Sequence, residues 1–307
     1  MATTDAATAM DAADAVWICT PTSEHRLLVE HAVARGLAVY CEKPLAPNLD
    51  DARAMTKAVE EAGVANQVGL VLRASSALQE VARLVAPKAL AAAPGSLGRA
   101  MTATLRDDQY FPIQGGYGST WRADVSVAGG GTLLEHSVHD LDLLSWLLGP
   151  VEQVTAFTAN FAGHPGVEDL AVATLAHASG AASSLVSVWH EILSRGSNRR
   201  LEVFCERGLV WLDDEQTGPV HVERGDGTEV IYTTAEEEVL LGDLGIPQAW
   251  RPLLRLYVVA DRNFLACVAG GRRPQPGFDD ALVAHELADA AYRSASLGSQ
   301  AVVIALS

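Results

Sequence analysis

Between residues 16 and 72 short apolar runs alternate with amphipathic stretches, and few folds accommodate that alternation. "VWICT" (16–20), "LAVYC" (37–41) and "QVGLVL" (67–72) are continuously apolar, as strands covered on both faces are. Between the first two, "PTSEHRLLVEHAVARG" sets Leu28, Val29, Ala32 and Val33 on one helical face. Thr22 or Ser23 is available as its cap, and Gly36 as its stop. Asn48, with Asp51 three residues on, opens a second helix striped by Leu49, Ala52, Met55 and Val59 and ended by Gly63. Strand–helix–strand–helix–strand with short links predicts a parallel sheet built by right-handed crossovers. The carboxyl ends of such strands share one edge, and ligands bind in the crevice outside it. Thr20 ends one strand and Glu42–Lys43 the next, so both are expected at that crevice. Pro44 disfavours helical backbone at Lys43 and so directs its amine beyond the sheet.

Residues 73–98 read as a helix followed by a loop, "LAAAPGSLG", where a domain boundary is expected. "RAMTATL" (99–105) reads as a strand, and residues 106–131 as a glycine-rich aromatic loop too long for a mere connector. A helix is predicted over 132–148. Beyond it the period becomes two, with hairpin signals at Ser179-Gly180, Arg207-Gly208 and Asp226-Gly227. Helices at 250–269 and 279–296 and a final strand, "QAVVIAL", complete the pattern. The expected class is α/β: a partial Rossmann-type parallel sheet, then an α+β domain with a large, mostly antiparallel open sheet.

A net charge of −16 opposes nucleic acid and anionic membrane surfaces as partners. No apolar stretch approaches the roughly 20 residues of a membrane span. Cys19, Cys41, Cys205 and Cys267 form no CxxC pair, and the first two lie in strand-like runs, which reads as buried thiols in a reducing compartment. The acidic start has no basic n-region, so a cytoplasmic protein is expected.

Within "GGGTLLEHSVHDLDLLSWLLG", Leu134, Val138, Leu141 and Leu148 recur at helical spacing and should face a core. Glu135, His139 and Asp142 recur at i, i+4 and i+7 and would share another face. A carboxylate one turn before a histidine can hydrogen-bond the ring and fix its tautomer, leaving the other nitrogen to accept a proton. Gly129–Gly131 would let a backbone or a cofactor approach the start of the helix. Taken alone, such a Glu–His pair is an ordinary surface or packing pair. Its coincidence with a lysine on the binding edge and a glycine-rich aromatic loop points to a site. The order EHSVH differs from HExxH, and no cysteine cluster accompanies it, so no metal is expected.

These segments, "ICTPTSEH", "GLAVYCEKPLA", "WRAD…GGGTLLEHSVHDLDLLSWLLG" and "DALVAHELADAAYRSASLGSQAVVI", resemble the glucose–fructose oxidoreductase/inositol dehydrogenase/MocA family in order and spacing over nearly the whole chain. The resemblance implies a dinucleotide-binding domain over 1–98 and a substrate and oligomerisation domain over 99–307. It also implies NAD or NADP as hydride carrier, a sugar, cyclitol or related polyol as substrate, and homo-oligomers packed through the open sheet. Lys43 matches the lysine that orients the substrate hydroxyl, His139 the acid/base histidine, and Glu135 a position usually held by aspartate. Thr20, Pro21, His25, Glu42, Lys43 and Pro44 match the segments at the cofactor, with Trp121 and Arg122 reaching it from the second domain. Ser137 stands where glycine is usual, which would narrow the pocket.

The family opens with a strand, a GxGxxG turn and a helix, a βαβ unit of roughly 30 residues. Fifteen residues without a glycine precede Val16. The sequence thus reads as a member lacking the first βαβ, its fingerprint glycines absent. Two functions follow: an NAD(P)-dependent oxidoreductase, or a non-catalytic sugar-binding or scaffolding relative that has lost cofactor binding.

Overall fold

The parallel sheet forms where the apolar runs place it, although one of the three strands is shorter. The computed structural model describes residues 3–85, 95–215 and 217–304. Helix α1 (Ala6–Met10) leads into β1 (Ala15–Ile18), α2 (His25–Val33), β2 (Ala38–Cys41), α3 (Leu49–Ala62) and β3 (Asn66–Val68). These three strands pair in parallel in the order β1-β2-β3. Asn48 caps α3, its Oδ1 accepting the Asp51 N–H, and Gly63 closes that helix at φ +64°. Neither Thr22 nor Ser23 caps α2, which is entered through a 3₁₀ turn at Thr22–Glu24. The third apolar run is strand only to Val68, and Val71–Ala74 coil into a 3₁₀ turn. Between them Gly69 passes the Glu42 carboxylate so closely that a Cβ would lie 2.7 Å from it.

The second sheet begins after α4 (Ser76–Leu84). It comprises β4 (Ala100–Tyr110), then, after α5 (Val125–Ala128) and α6 (Val138–Leu148), β5 (Val151–Ala159), β6 (Leu170–His177), β7 (Ala182–His190), β8 (Asn198–Cys205), β9 (Gly208–Leu212), β10 (Val220–Arg224) and β11 (Gly227–Ile231). Helices α7 (Ala235–Asp243), α8 (Arg251–Ala269) and α9 (Phe278–Ser296) precede β12 (Val302–Val303). Among the described residues the nine strands run β11-β10-β9-β8-β4-β7-β6-β5-β12, and β4–β7 is the parallel pair in this mixed sheet. The hairpin signals at 179–180, 207–208 and 226–227 join β6 to β7, β8 to β9 and β10 to β11. Much of "LAAAPGSLG" and the end of "QAVVIAL" lie outside the described residues.

Two expectations change. The strand begun by "RAMTATL" continues through Arg106–Tyr110, because its charges find partners across the sheet. Asp108, for example, takes the Arg195 guanidinium at 2.9 Å. The helix expected over 132–148 is broken into a π turn (Thr132–His136) and α6. The break follows from Glu168, whose carboxylate accepts the Gly131 and Leu133 N–H groups and the Tyr292 hydroxyl. These orphan amides of the first turn are thereby satisfied from outside the helix.

Helices late in the chain cover the parallel sheet. Phe264 on α8 meets Tyr40 and Trp17 edge-on, and the Trp17 indole donates to Asp261 at 2.9 Å. α9 packs on α3, α6 and β5, so one helix braces both sheets. From α9, His285 Nε2 accepts the Leu45 N–H at 3.0 Å. Burial, with His25 nearby, lowers its pKa to about 4. The folded ring is neutral, and unfolding restores an ordinary histidine near pH 6.5. Between those values the unfolded chain binds more protons, so stability falls as pH drops from about 6.5 toward 4. Thermal melts of the wild type are expected to lose more stability between pH 7 and 5 than melts of His285→Asn, by roughly 1–2 kcal/mol.

Candidate active site

A cavity of about 380 Å³ opens at the carboxyl edge of β1 and β2, within the usual range for a small-molecule site. Thr20 and Lys43 reach it from that edge, Trp121 and Arg122 from the long loop, and Glu135, His136 and His139 from the π turn and α6. Lys43 and His139 therefore line the same cavity. Thr20 Oγ1 is buried there without a partner among the described residues.

The loop after β2 is locked before it reaches the cavity. A Cβ on Gly129, at φ +86°, would collide with the Pro47 backbone, and one on Gly131 with the backbone of Glu168. The glycine run thus admits protein backbone, and it seats the Lys43 loop against the π turn. The Lys43–Pro44 peptide is cis. The Asp140 N–H turns to Ser137 O, and Lys43 Nζ donates to the Glu135 carbonyl at 2.6 Å. The same amine lies 3.9 Å from the Glu135 carboxylate, which accepts from Arg122 Nε at 2.7 Å. Arg122 also stacks 4.5 Å above the Trp121 ring. Burial lowers the Lys43 pKa, and Glu135 opposes that shift.

Glu135 therefore does not orient His139. The π turn takes the two residues out of α-helical register, and the carboxylate serves Arg122 and Lys43. His139 Nδ1 is buried with no partner among the described residues, which leaves Nε2 as the nitrogen open to the cavity. Burial, and next the Lys43 charge, hold the His139 pKa well below the usual histidine value.

Asp142 also leaves the expected face. It binds Arg73 bidentately at 2.6 and 2.9 Å away from this cavity, and burial raises its pKa to about 6. Pro21, His25 and Pro44 do not line the cavity. His25 is sealed beneath it, Nε2 at 3.0 Å from Thr20 O and Nδ1 at 3.0 Å from Pro44 O, so it holds the two loops together. Glu42 does line the wall, its pKa raised by burial. Ser137 does not narrow the pocket, since its hydroxyl is buried on Ser187 at 2.6 Å. Cys19, read as buried, is exposed at the cavity, whereas Cys41 is buried.

Several wall residues were not evident in the sequence. Arg199 on β8 is buried among Asp107, Asp140 and Glu215, at 3.0, 2.7 and 3.3 Å, and its Nη2 lies 3.1 Å from His136 Nε2. Burial raises the pKa of both Asp107 and Asp140, that of Asp140 to about 7. Asp107 lies in the segment expected as a loop, yet it is on β4. A cation caught between two aspartates has no short-range signature.

Profiles of known families match in two blocks: an oxidoreductase family with an NAD-binding Rossmann fold over residues 2–70, and the GFO/IDH/MocA C-terminal domain over 88–211. Inositol 2-dehydrogenase of Rhizobium meliloti is 28% identical over 95% of this chain and 81% of its own. D-apiose dehydrogenase of Paraburkholderia graminis is 29% identical over 93% and 72%. Aldose-aldose oxidoreductase of Caulobacter crescentus, solved with glycerol, superposes at TM-score 0.76 with 27% identity over 97% and 82% of the two chains. An Agrobacterium radiobacter oxidoreductase solved with NAD+, at TM-score 0.79 and 24% identity over 97% and 83%, shares the fold. Fold and cavity define an oxidoreductase of the NAD-binding Rossmann class. The chain belongs to the glucose–fructose oxidoreductase/inositol dehydrogenase/MocA family.

Removing one partner from a buried ion cluster leaves the others uncompensated. Arg199→Met is expected to lower stability by roughly 3–5 kcal/mol, measured by urea unfolding at pH 7.

Proposed function

We propose that this chain is an NAD(P)-linked dehydrogenase that oxidises a secondary alcohol of an uncharged sugar, cyclitol or related polyol. The observation that carries this reading is the convergence of the Lys43 amine and His139 Nε2 on one cavity at the carboxyl edge of the parallel sheet. Family membership favours it over a non-catalytic binder, and the named relatives act on inositol and apiose.

The residues fit the nicotinamide end of the cofactor. Thr20, with its unpartnered hydroxyl, and Lys43, Trp121 and Arg122 would hold it at the sheet edge. When bound, the nicotinamide supplies the hydride acceptor. Lys43 holds the substrate hydroxyl and offsets the negative charge that grows on its oxygen. His139 Nε2 accepts the hydroxyl proton, and the imidazolium returns it in the reductive direction. No protein group fixes the His139 tautomer among the described residues, so the substrate hydroxyl itself selects the ring with its proton on Nδ1.

The wall also suits an uncharged ligand. Lys43, Arg122 and Arg199 are met by Glu42, Glu135 and Glu215, so a carboxylate or phosphate would have to break an existing pair. Lys43→Met and His139→Asn are each expected to reduce kcat/KM for polyol oxidation by about 10²–10⁴ while NADH binding, followed by fluorescence, persists. Because the His139 pKa is depressed, wild-type oxidation should keep its acid limb below pH 6.5. A fully active His139→Asn variant would end this reading.

The outer face of the large sheet exposes Met101, Phe157, Val172, Phe204 and Val230, which supports homo-oligomers assembled through it. Sedimentation velocity is expected to give a mass above that of one chain, reduced by Phe157→Glu. No helix among the described residues is long and apolar enough to cross a membrane. Four free thiols accord with a reducing cytoplasm.

A further inference from the structure

The mechanism above leaves one cavity-lining imidazole without a task. We propose that His136 is a second substrate-binding residue, whose Nδ1 reads a hydroxyl of the polyol other than the one held by Lys43 and His139. This rests on the polyol reading of the cavity.

The ring is fixed from behind. Its Nε2 lies 2.7 Å from Asp107 Oδ2 and 3.1 Å from Arg199 Nη2, both of which are buried. Arg199 pairs in turn with Asp107, Asp140 and Glu215. Two buried charged groups thus meet one nitrogen, and two more brace the guanidinium. The opposite nitrogen, Nδ1, makes no hydrogen bond among the described residues, yet it is not sealed off. A buried ion cluster costs more in desolvation than it returns in stability. Aiming one polar atom into a cavity is a use that repacking with apolar groups could not reproduce.

The chemistry of Nδ1 selects the ligand. Nε2 sits between a guanidinium donor and a carboxylate, so the ring presents either an N–H or a lone pair to the cavity. A hydroxyl donates and accepts and can meet either form, whereas a carboxylate accepts only. The guanidinium behind the ring is already matched by three carboxylates, which leaves no cation there to attract an anion. Glu135 and His136 are adjacent in the π turn. The same irregular turn therefore presents the carbonyl that anchors Lys43 and the ring that reads the second hydroxyl.

The test uses the full chain, nitrogen-15-labelled at histidine and saturated with NADH, titrated with myo-inositol and then with D-glucose. The His136 ring resonances are assigned by their loss in His136→Gln. At least one polyol is expected to move the His136 nitrogens saturably. His136→Ala is expected to raise KM about tenfold with kcat changed less than about threefold, the split for a ground-state contact. A monodeoxy analogue lacking the hydroxyl that is read should lose nothing further on that substitution. A polyol that shifts His139 but leaves His136 still overturns the proposal, as does the absence of any histidine shift with either polyol. A His136 shift without turnover by the wild type would instead defeat the dehydrogenase reading and leave the binding role standing.

Discussion

One ammonium-to-carbonyl contact ties the parallel sheet to the wall of the second sheet: Lys43 Nζ on Glu135 O at 2.6 Å. It depends on two departures from regular structure. The π turn sets the Glu135 carbonyl within reach of the lysine, and the glycine run lets the Pro47 backbone lie against the entry to that turn. The irregular turn forms part of the cavity wall. It is held by Glu168, which satisfies two amides of the turn and the Tyr292 hydroxyl at once.

Behind that wall lies a second dependence. Arg199, Asp107, Asp140 and Glu215 are removed from water, and a group of this kind is poor value for stability. Charged groups concentrate in this way where a field or a proton must be placed. Here Asp107 and Arg199 meet His136 Nε2, and Asp107, Arg199 and Asp140 sit on β4, β8 and α6, regular elements rather than loops. The sheet supplies precision that the long loop carrying Trp121 and Arg122 could not.

The parallel sheet and the positions of Lys43 and His139 were legible in the sequence, because each follows from short-range pattern. Apolar runs ending in Thr20 and Glu42–Lys43 mark one sheet edge, and the period of two after residue 150 marks the large sheet. What could not be read depends on partners far along the chain. Glu135 turned from His139 because Glu168, 37 residues from Gly131, broke the helical register. Asp107 looked like loop because its partner Arg199 lies on another strand. His25 belongs to a motif expected at the cofactor, yet its ring spans two carbonyls beneath the cavity. A motif names a neighbourhood; the hydrogen bonds within it decide which side chains face the ligand.

The pairing of every wall cation has a kinetic corollary. An uncharged polyol feels neither the −16 of the whole chain nor any unpaired charge at the mouth, so its encounter rate should be indifferent to ionic strength. Only an anionic partner would be slowed by the protein's own field. Added salt would then change how quickly the pocket acquires a charged companion while leaving the sugar's arrival untouched.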